Sequence, residues 1–178
     1  MKGGKQMNSK KRMMFILEED YYFITIKLLS VLVALECDKK NFEDYRKLGI
    51  IFEFVKSQEN ISFFEKLVSQ KADSIFDNER AIKLFCDSKL NISVVKRVLF
   101  FLEKQGMVEL QKSKKGGNID VLLVVNKEIE GLIKGDILNE DIRRSLIVKK
   151  ALPKIRSMKL STLQDKIFGY NEVTKWDD

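Results

Sequence analysis

Histidine is absent from this chain of 178 residues. Its absence removes the commonest general base, the commonest metal ligand and the Ser/His and Cys/His nucleophile pairs. The two cysteines, Cys37 and Cys86, lie in different segments without a CxxC pair, so we expect reduced thiols. The sequence also lacks a phosphate loop, a dinucleotide fingerprint and a calcium loop. We therefore predict a protein that is not an enzyme and that needs no cofactor or metal.

Long apolar runs are also lacking. The longest apolar stretches, residues 24–35 and 119–125, are too short to cross a bilayer, and Lys27 and Ser30 interrupt the first. The N-terminal residues do not form the apolar core of a signal peptide. The composition, 44% hydrophobic and 33% charged, is typical of a folded protein. We therefore expect a cytoplasmic protein without a membrane partner.

The net charge of +7 is unevenly distributed. Residues 1–12 sum to +5, residues 88–117 to +5 and residues 143–166 to +7, which leaves −10 for the remainder. Such segregation favours contacts with a polyanion or with acidic surfaces of a partner. The solvated faces of helices and a basic disordered arm over residues 1–14 explain the same pattern equally well.

The spacing of apolar residues predicts a mostly α protein in which an N-terminal helical module, residues 15–72, precedes a second module. Helices are predicted at Glu18–Glu36, at Phe42–Ser57 with Asn41 as N-cap, and at Ile61–Ser69. The weakly patterned stretch Gln70–Phe76 is the predicted linker.

The second module, residues 73–136, resembles a winged helix-turn-helix with a small β-hairpin wing. Asn78 is expected to cap a helix that ends at Ser88, and Asn91 to cap a second helix after a tight connection at Lys89-Leu90. Gly106 ends that helix, and strands from Met107 to Lys112 and from Ile119 to Val125 flank a Gly-rich turn over residues 113–118. The spacing matches a V-x-R-x-L-x-x-L-E-x-x-G pattern that begins at Val95. An ordinary helix followed by an unrelated hairpin is the alternative.

A winged helix reads DNA with its second helix and touches phosphates with its wing. The candidate nucleic-acid contacts are therefore the polar residues of both elements: Ser93, Lys96, Arg97, Lys104, Lys112, Lys114 and Lys115. Phe100 and Phe101 do not fit base readout, because Leu99 and Leu102 already occupy the core face and at least one ring must point elsewhere. Packing within the chain, contact with a partner and base stacking remain open for these rings.

The C-terminal extension, residues 137–178, is predicted to contain an amphipathic helix over Leu138–Ala151. Beyond Pro153 the segment is too apolar to stay in water, so it docks either on the chain's own core or in a partner's groove. The candidate partner contacts in the whole chain are Phe100, Phe101, Ile142, Leu146, Phe168 and Trp176.

The run NFEDYRKLGIIFEFVKSQENISFFEKLV, residues 41–68, precedes the winged-helix pattern and supplies a family resemblance. Through Arg46-Lys47-Leu48, the stripe Ile51, Phe52 and Phe54, and Leu67, the chain resembles the winged-helix middle component of bacterial three-component defence systems of the Lamassu type. The resemblance implies a non-catalytic accessory subunit that bridges or regulates an SMC-like or ABC ATPase and an effector against phages or plasmids, with DNA as a further partner. The alternative is a free-standing winged-helix transcriptional regulator.

Overall fold

The computed structural model describes residues 9–113 and 116–173, with side chains from residue 21 onward. Its residues are mostly helical with one antiparallel hairpin, which confirms the predicted mostly α class. In chain order the elements are α1 (Ser9–Ala34), α2 (Arg46–Val55), α3 (Gln58–Val68), α4 (Ile75–Lys104), β1 (Val108–Lys112), β2 (Ile119–Leu123), α5 (Lys127–Lys134), a 3-10 turn (Asp136–Leu138), α6 (Asn139–Ala151) and α7 (Leu160–Phe168). None of the helices in this described part is long and apolar enough to span a bilayer.

Helix α1 begins earlier than the sequence predicted. Residues 9–14 of the predicted disordered arm belong to it, whereas residues 1–8 lie outside the described part. No glycine or proline occurs between Ser9 and Ala34, so nothing in the backbone chemistry interrupts the helix. Glu36, at φ 54°, ends the turn that follows, and the Cys37 N–H donates to the carbonyl of Leu32 at 3.0 Å.

The prediction of a helix from Phe42, capped by Asn41, was wrong, since α2 begins only at Arg46. Phe42 is extended and forms a β-bridge with Val121 of β2, with N–H to carbonyl distances of 2.8 and 2.9 Å. The ring of Phe42 is fully buried. Backbone pairing and burial, both long-range, therefore outweigh the local helical pattern at this position.

Helix α4 contains the largest departure from the prediction. The expected connection at Lys89-Leu90 does not exist, because the chain stays helical for 30 residues. Ser74, not Asn78, is the N-cap, and it forms a capping box with Asp77. Between residues 75 and 104 the sequence has no glycine or proline, and buried residues recur along the whole length, so packing supports one helix. A helix-turn-helix with a tight turn is thus not formed within residues 78–104.

The predicted hairpin is confirmed. Strand β1 pairs antiparallel with β2 in a register that joins Val108 to Leu123 and Lys112 to Ile119. Gly106, at φ 69°, ends α4 as predicted, because a left-handed conformation at low cost requires glycine there. The second strand ends at Leu123 instead of Val125.

One hydrophobic cluster extends from Leu28 to Val173 and crosses the predicted boundaries at residues 72 and 136. Helices α2 and α4 approach closely at Gly49, where an added Cβ would lie 3.0 Å from Cγ1 of Ile92. At the other end of the core the ring of Phe168 lies 5.9 Å from that of Phe54 and 5.2 Å from that of Phe85. The C-terminal extension therefore docks on the chain's own core.

Two buried lysines join distant segments. Lys27 of α1 forms an ion pair with Asp141 of α6, and both side chains are 8% exposed. The Nζ of Lys47 in α2 donates to three carbonyl oxygens of the turn before α7, at 2.6, 2.9 and 2.7 Å, and lies 4.6 Å from the ring centroid of Phe42. Burial lowers the pKa of Lys47 to about 8. These contacts hold α1, α2, α6 and the C-terminal turn in fixed positions.

Candidate interface on helices α1 and α4

Five exposed rings lie on α1 and on the second half of α4. Their exposed fractions lie between 38% and 63%, unusually high for aromatic side chains. We define the aromatic face as Tyr21, Tyr22, Phe23, Phe100 and Phe101. Because Val98, Leu99 and Leu102 occupy the buried side of α4, the rotation of about 100° per residue turns both phenylalanines outward.

An open groove of about 490 Å³ separates α1 from α4 within the aromatic face. Its walls are mainly carbon, interrupted by hydroxyl groups and one guanidinium. The lining residues are Tyr21, Tyr22, Thr25, Arg97, Val98 and Phe101. A concave apolar groove with few polar groups is the common geometry for an inserted ligand or peptide.

Arg97 of α4 lines the groove, and two further cations, Lys96 and Lys104, lie on the same helix. Lys96, Arg97 and Lys104 are exposed, and none of them belongs to an ion pair within the described residues. The Nζ of Lys96 lies 6.0 Å from the ring centroid of Phe100, one turn further along the helix. The groove thus combines apolar walls with the guanidinium of Arg97, on a helix that carries two more exposed cations.

The predicted nucleic-acid residues divide into two places. Ser93, Lys96, Arg97 and Lys104 are exposed on α4, and Lys112 is exposed at the end of β1. Lys114 and Lys115 lie outside the described residues. The hairpin tip, through Ser113 and Asn118, lines a second cleft of about 490 Å³ together with Lys89 and Lys159, so it lies beside the middle of α4. Of the helix residues, Arg97 lines the groove with Tyr21, Tyr22 and Phe101, and Lys96 lies near Phe100, whereas the hairpin tip lies beside Lys89.

The predicted partner-binding residues also divide. Phe100 and Phe101 are 42% and 55% exposed, Leu146 is 45% exposed and Ile142 is half-buried on α6. The prediction for Phe168 was wrong, because its ring is completely enclosed by the core and has no surface left for a partner. Trp176 lies outside the described residues.

Sequence reasoning missed the α1 half of the groove. Tyr21, Tyr22 and Thr25 belong to the predicted helix Glu18–Glu36 and were not among the candidate contact residues. Three consecutive aromatic residues directly after Glu18-Glu19-Asp20 were the available signal, because three rings in a row cannot all face one core.

The described residues contain no group of three or more acidic or cysteine side chains that could hold a metal. Both cysteines are free, as the sequence predicted; Cys37 is buried and Cys86 is exposed. Burial raises the pKa of the Cys37 thiol to about 12, so the reactive thiolate is suppressed there. Glu53, also buried, accepts hydrogen bonds from Lys56 and Asn91, which is a structural arrangement.

Comparisons with protein-family models, with curated proteins and with solved structures find no match. The resemblance to the Lamassu type therefore stays a prediction, and the function has to be inferred from the groove and its surroundings.

Proposed function

We propose that this chain is a non-catalytic assembly subunit that bridges or regulates an SMC-like or ABC ATPase and an effector in a cytoplasmic anti-phage or anti-plasmid defence complex. The observation that carries the proposal is the aromatic face. The core buries the rings of Phe42, Phe54, Phe64 and Phe168 almost completely, while the five rings of that face stay exposed and three of them, Tyr21, Tyr22 and Phe101, line one groove. Contiguous exposed apolar surface of this kind is characteristic of protein interaction sites.

We also propose that the fold is a modified winged helix. Helix α2 and the second half of α4, which meet at Gly49, take the places of the two helices of a helix-turn-helix. The hairpin follows α4 directly, and the bridge from Phe42 to Val121 adds a third extended segment to it. In this proposal α3 and the first half of α4 replace the usual tight turn, which accounts for the continuous helix.

The proposal is tested by producing the chain together with the proteins encoded beside it. A tagged chain is expected to retain a large ATPase and an effector through a wash at about 0.5 M salt, because apolar contacts are not screened. The double variant Phe100→Ser, Phe101→Ser should lose both partners, whereas Phe76→Ser on the same helix should retain them. Circular dichroism and thermal unfolding show whether each variant is folded. Retention by the double variant, or no ATPase among the retained proteins, overturns the proposal.

A free-standing DNA-binding regulator is the second candidate. It is favoured by Lys96, Arg97, Lys104 and Lys112, four exposed cations without an ion pair in the described structure. Each phosphate contact releases about 0.9 counterion, so Lys96→Glu with Lys104→Glu should flatten the salt dependence of duplex binding. Tight, sequence-selective binding by the isolated chain would favour the regulator over the assembly subunit.

A further inference from the structure

We propose that the groove between α1 and α4 binds an amphipathic helix of a partner protein whose anchoring residues are apolar and whose edge facing α4 is acidic. This inference deepens the assembly function and rests on it for the source of the helix. It adds the chemistry of the bound segment, which the proposed function does not define.

The shape of the groove favours a helix. Two helices form its walls, Val98 lies at its floor, and Tyr22 and Phe101 stand exposed at opposite sides. A helix laid in such a groove inserts side chains spaced three, four and seven residues apart, and the aromatic rings cover them from both sides. An extended strand would instead need free backbone donors and acceptors on the walls, which helices do not provide.

The charge of the edges favours an acidic occupant. Lys96, Arg97 and Lys104 lie along α4 without ion-pair partners in the described structure, so carboxylates of a docked helix can pair with them. A docked helix can place its acids along the one edge that faces these cations.

The chain's own acidic aromatic segment cannot fill the groove of the same molecule. Residues 174–178 contain Trp176 and two aspartates, and they span at most about 18 Å. They follow Asn171, which donates to the carbonyl of Ala72 and contacts Asn78 near the start of α4. Phe101 lies about 35 Å further along that helix, so these five residues do not reach it. Residues 174–178 of the same molecule are therefore not the occupant.

The test selects ligands for the full chain from a displayed library of random peptides of about 16 residues, roughly 24 Å of helix. We expect the recovered peptides to be acidic and to repeat apolar residues at three and four positions. Binding of a recovered peptide, measured by fluorescence anisotropy, should weaken about tenfold or more in Phe101→Ser and about fivefold in Arg97→Glu. The matched controls, Phe76→Ser on α4 and Lys150→Glu on α6, are both exposed and should leave binding unchanged.

Three results overturn the inference. The first is a library that yields no acidic amphipathic peptides, or peptides that bind Phe101→Ser as well as the wild type. The second is binding of a single-stranded thymidine oligonucleotide that Phe101→Ser abolishes, which would assign the rings to base stacking. The third is a concentration-dependent dimer that the wild type forms in sedimentation experiments and Phe101→Ser does not. Such a dimer would mean that a second copy of the chain occupies the groove.

The assembly function fails independently of this inference. If the chain retains an ATPase and an effector and loses both in the double variant Phe100→Ser, Phe101→Ser, but the library yields no acidic amphipathic peptides, the groove inference alone is wrong. If acidic peptides bind but the neighbouring gene products do not assemble with the chain, the assembly function alone is wrong.

Discussion

Lys47 donates a hydrogen bond from Nζ to the backbone carbonyl oxygen of Ile155 at 2.6 Å, which links α2 to a turn 108 residues later in the chain. The side chain is fully buried, and two further carbonyl oxygens complete its three donor positions. A buried ammonium without a carboxylate depends on such acceptors, because leaving any donor unpaired would cost about 1 to 3 kcal/mol. The arrangement fixes the C-terminal extension against the N-terminal half.

The stability contribution of Lys47 should depend on pH. Burial lowers its pKa from 10.5 to about 8, so between these values the unfolded chain holds a proton that the folded chain has released. Stability from this group therefore rises as pH increases from 8 to 10.5. The free energy of unfolding of the wild type minus that of Lys47→Met should be about 2 to 3 kcal/mol larger at pH 10.5 than at pH 7. Cys37 titrates in the opposite sense, chiefly because it is buried, and it is present in both proteins, so its contribution largely cancels in the difference. A difference independent of pH would contradict the lowered pKa of Lys47.

Phe168→Ala should destabilise the protein by about 3 to 5 kcal/mol, because it empties a site enclosed by Phe54 and Phe85. Urea unfolding followed by circular dichroism measures the loss. Tyr170→Ala, whose ring is half exposed two residues later, is the matched control and should change stability by less than about 0.5 kcal/mol. Equal effects of the two substitutions would mean that the C-terminal extension does not dock as described.

Gly49→Ala should destabilise the protein by about 1 to 3 kcal/mol, since the new Cβ would lie 3.0 Å from both Ile92 Cγ1 and the Ser88 carbonyl oxygen. Gly131→Ala in α5 is the control, because nothing lies within 4 Å of its Cβ position. There, the gain in helix propensity should stabilise by about 0.5 to 1 kcal/mol. Thermal unfolding of both variants shows whether each substitution stabilises or destabilises the protein. Stabilisation by Gly49→Ala would refute the close contact between α2 and α4.

Leu90→Pro tests the continuity of α4. The Leu90 side chain is 71% exposed, so the substitution acts mainly through the backbone. Within a helix, proline removes a hydrogen bond and clashes with the preceding turn, at a cost of about 3 kcal/mol or more. Leu90→Ala should be nearly neutral in the same unfolding measurement. If proline were tolerated at this position, the connection predicted at Lys89-Leu90 would be right and the single helix wrong.

The sequence predicted elements wherever the decisive signal was local. Gly106 could be assigned a left-handed conformation and the end of a helix because few other residues adopt it cheaply. The hairpin followed from two β-prone segments that flank a Gly-rich turn, and α6 followed from its amphipathic spacing. Of the candidate site, helical geometry alone predicted that at least one of Phe100 and Phe101 points away from the core, and the structure shows both exposed.

Other features could not be read from local patterns. Asn91 and Asn78 carry good N-cap side chains, yet both lie inside α4, because continuous packing against α2 stabilises the helix more than a cap would. Phe42 reads as helical but pairs with Val121, which lies 79 residues away in sequence. The local sequence offers no reason to place Phe168 in the core rather than at a partner interface. Only the positions of Phe54 and Phe85 in the structure show that its ring belongs to the core.

The sequence by itself determined that the protein is mostly helical with one hairpin, that its cations are segregated, and that at least one of the rings at 100 and 101 leaves the core face of its helix. Those properties depend on periodicity and composition, which neighbouring residues define. Only the tertiary structure decided that α4 is unbroken, that the C-terminal extension docks on its own core, and that Tyr21 and Tyr22 meet Arg97 and Phe101 around one groove. These features depend on contacts between residues far apart in the chain. The free energies of such contacts cannot be derived from the pattern of neighbouring residues.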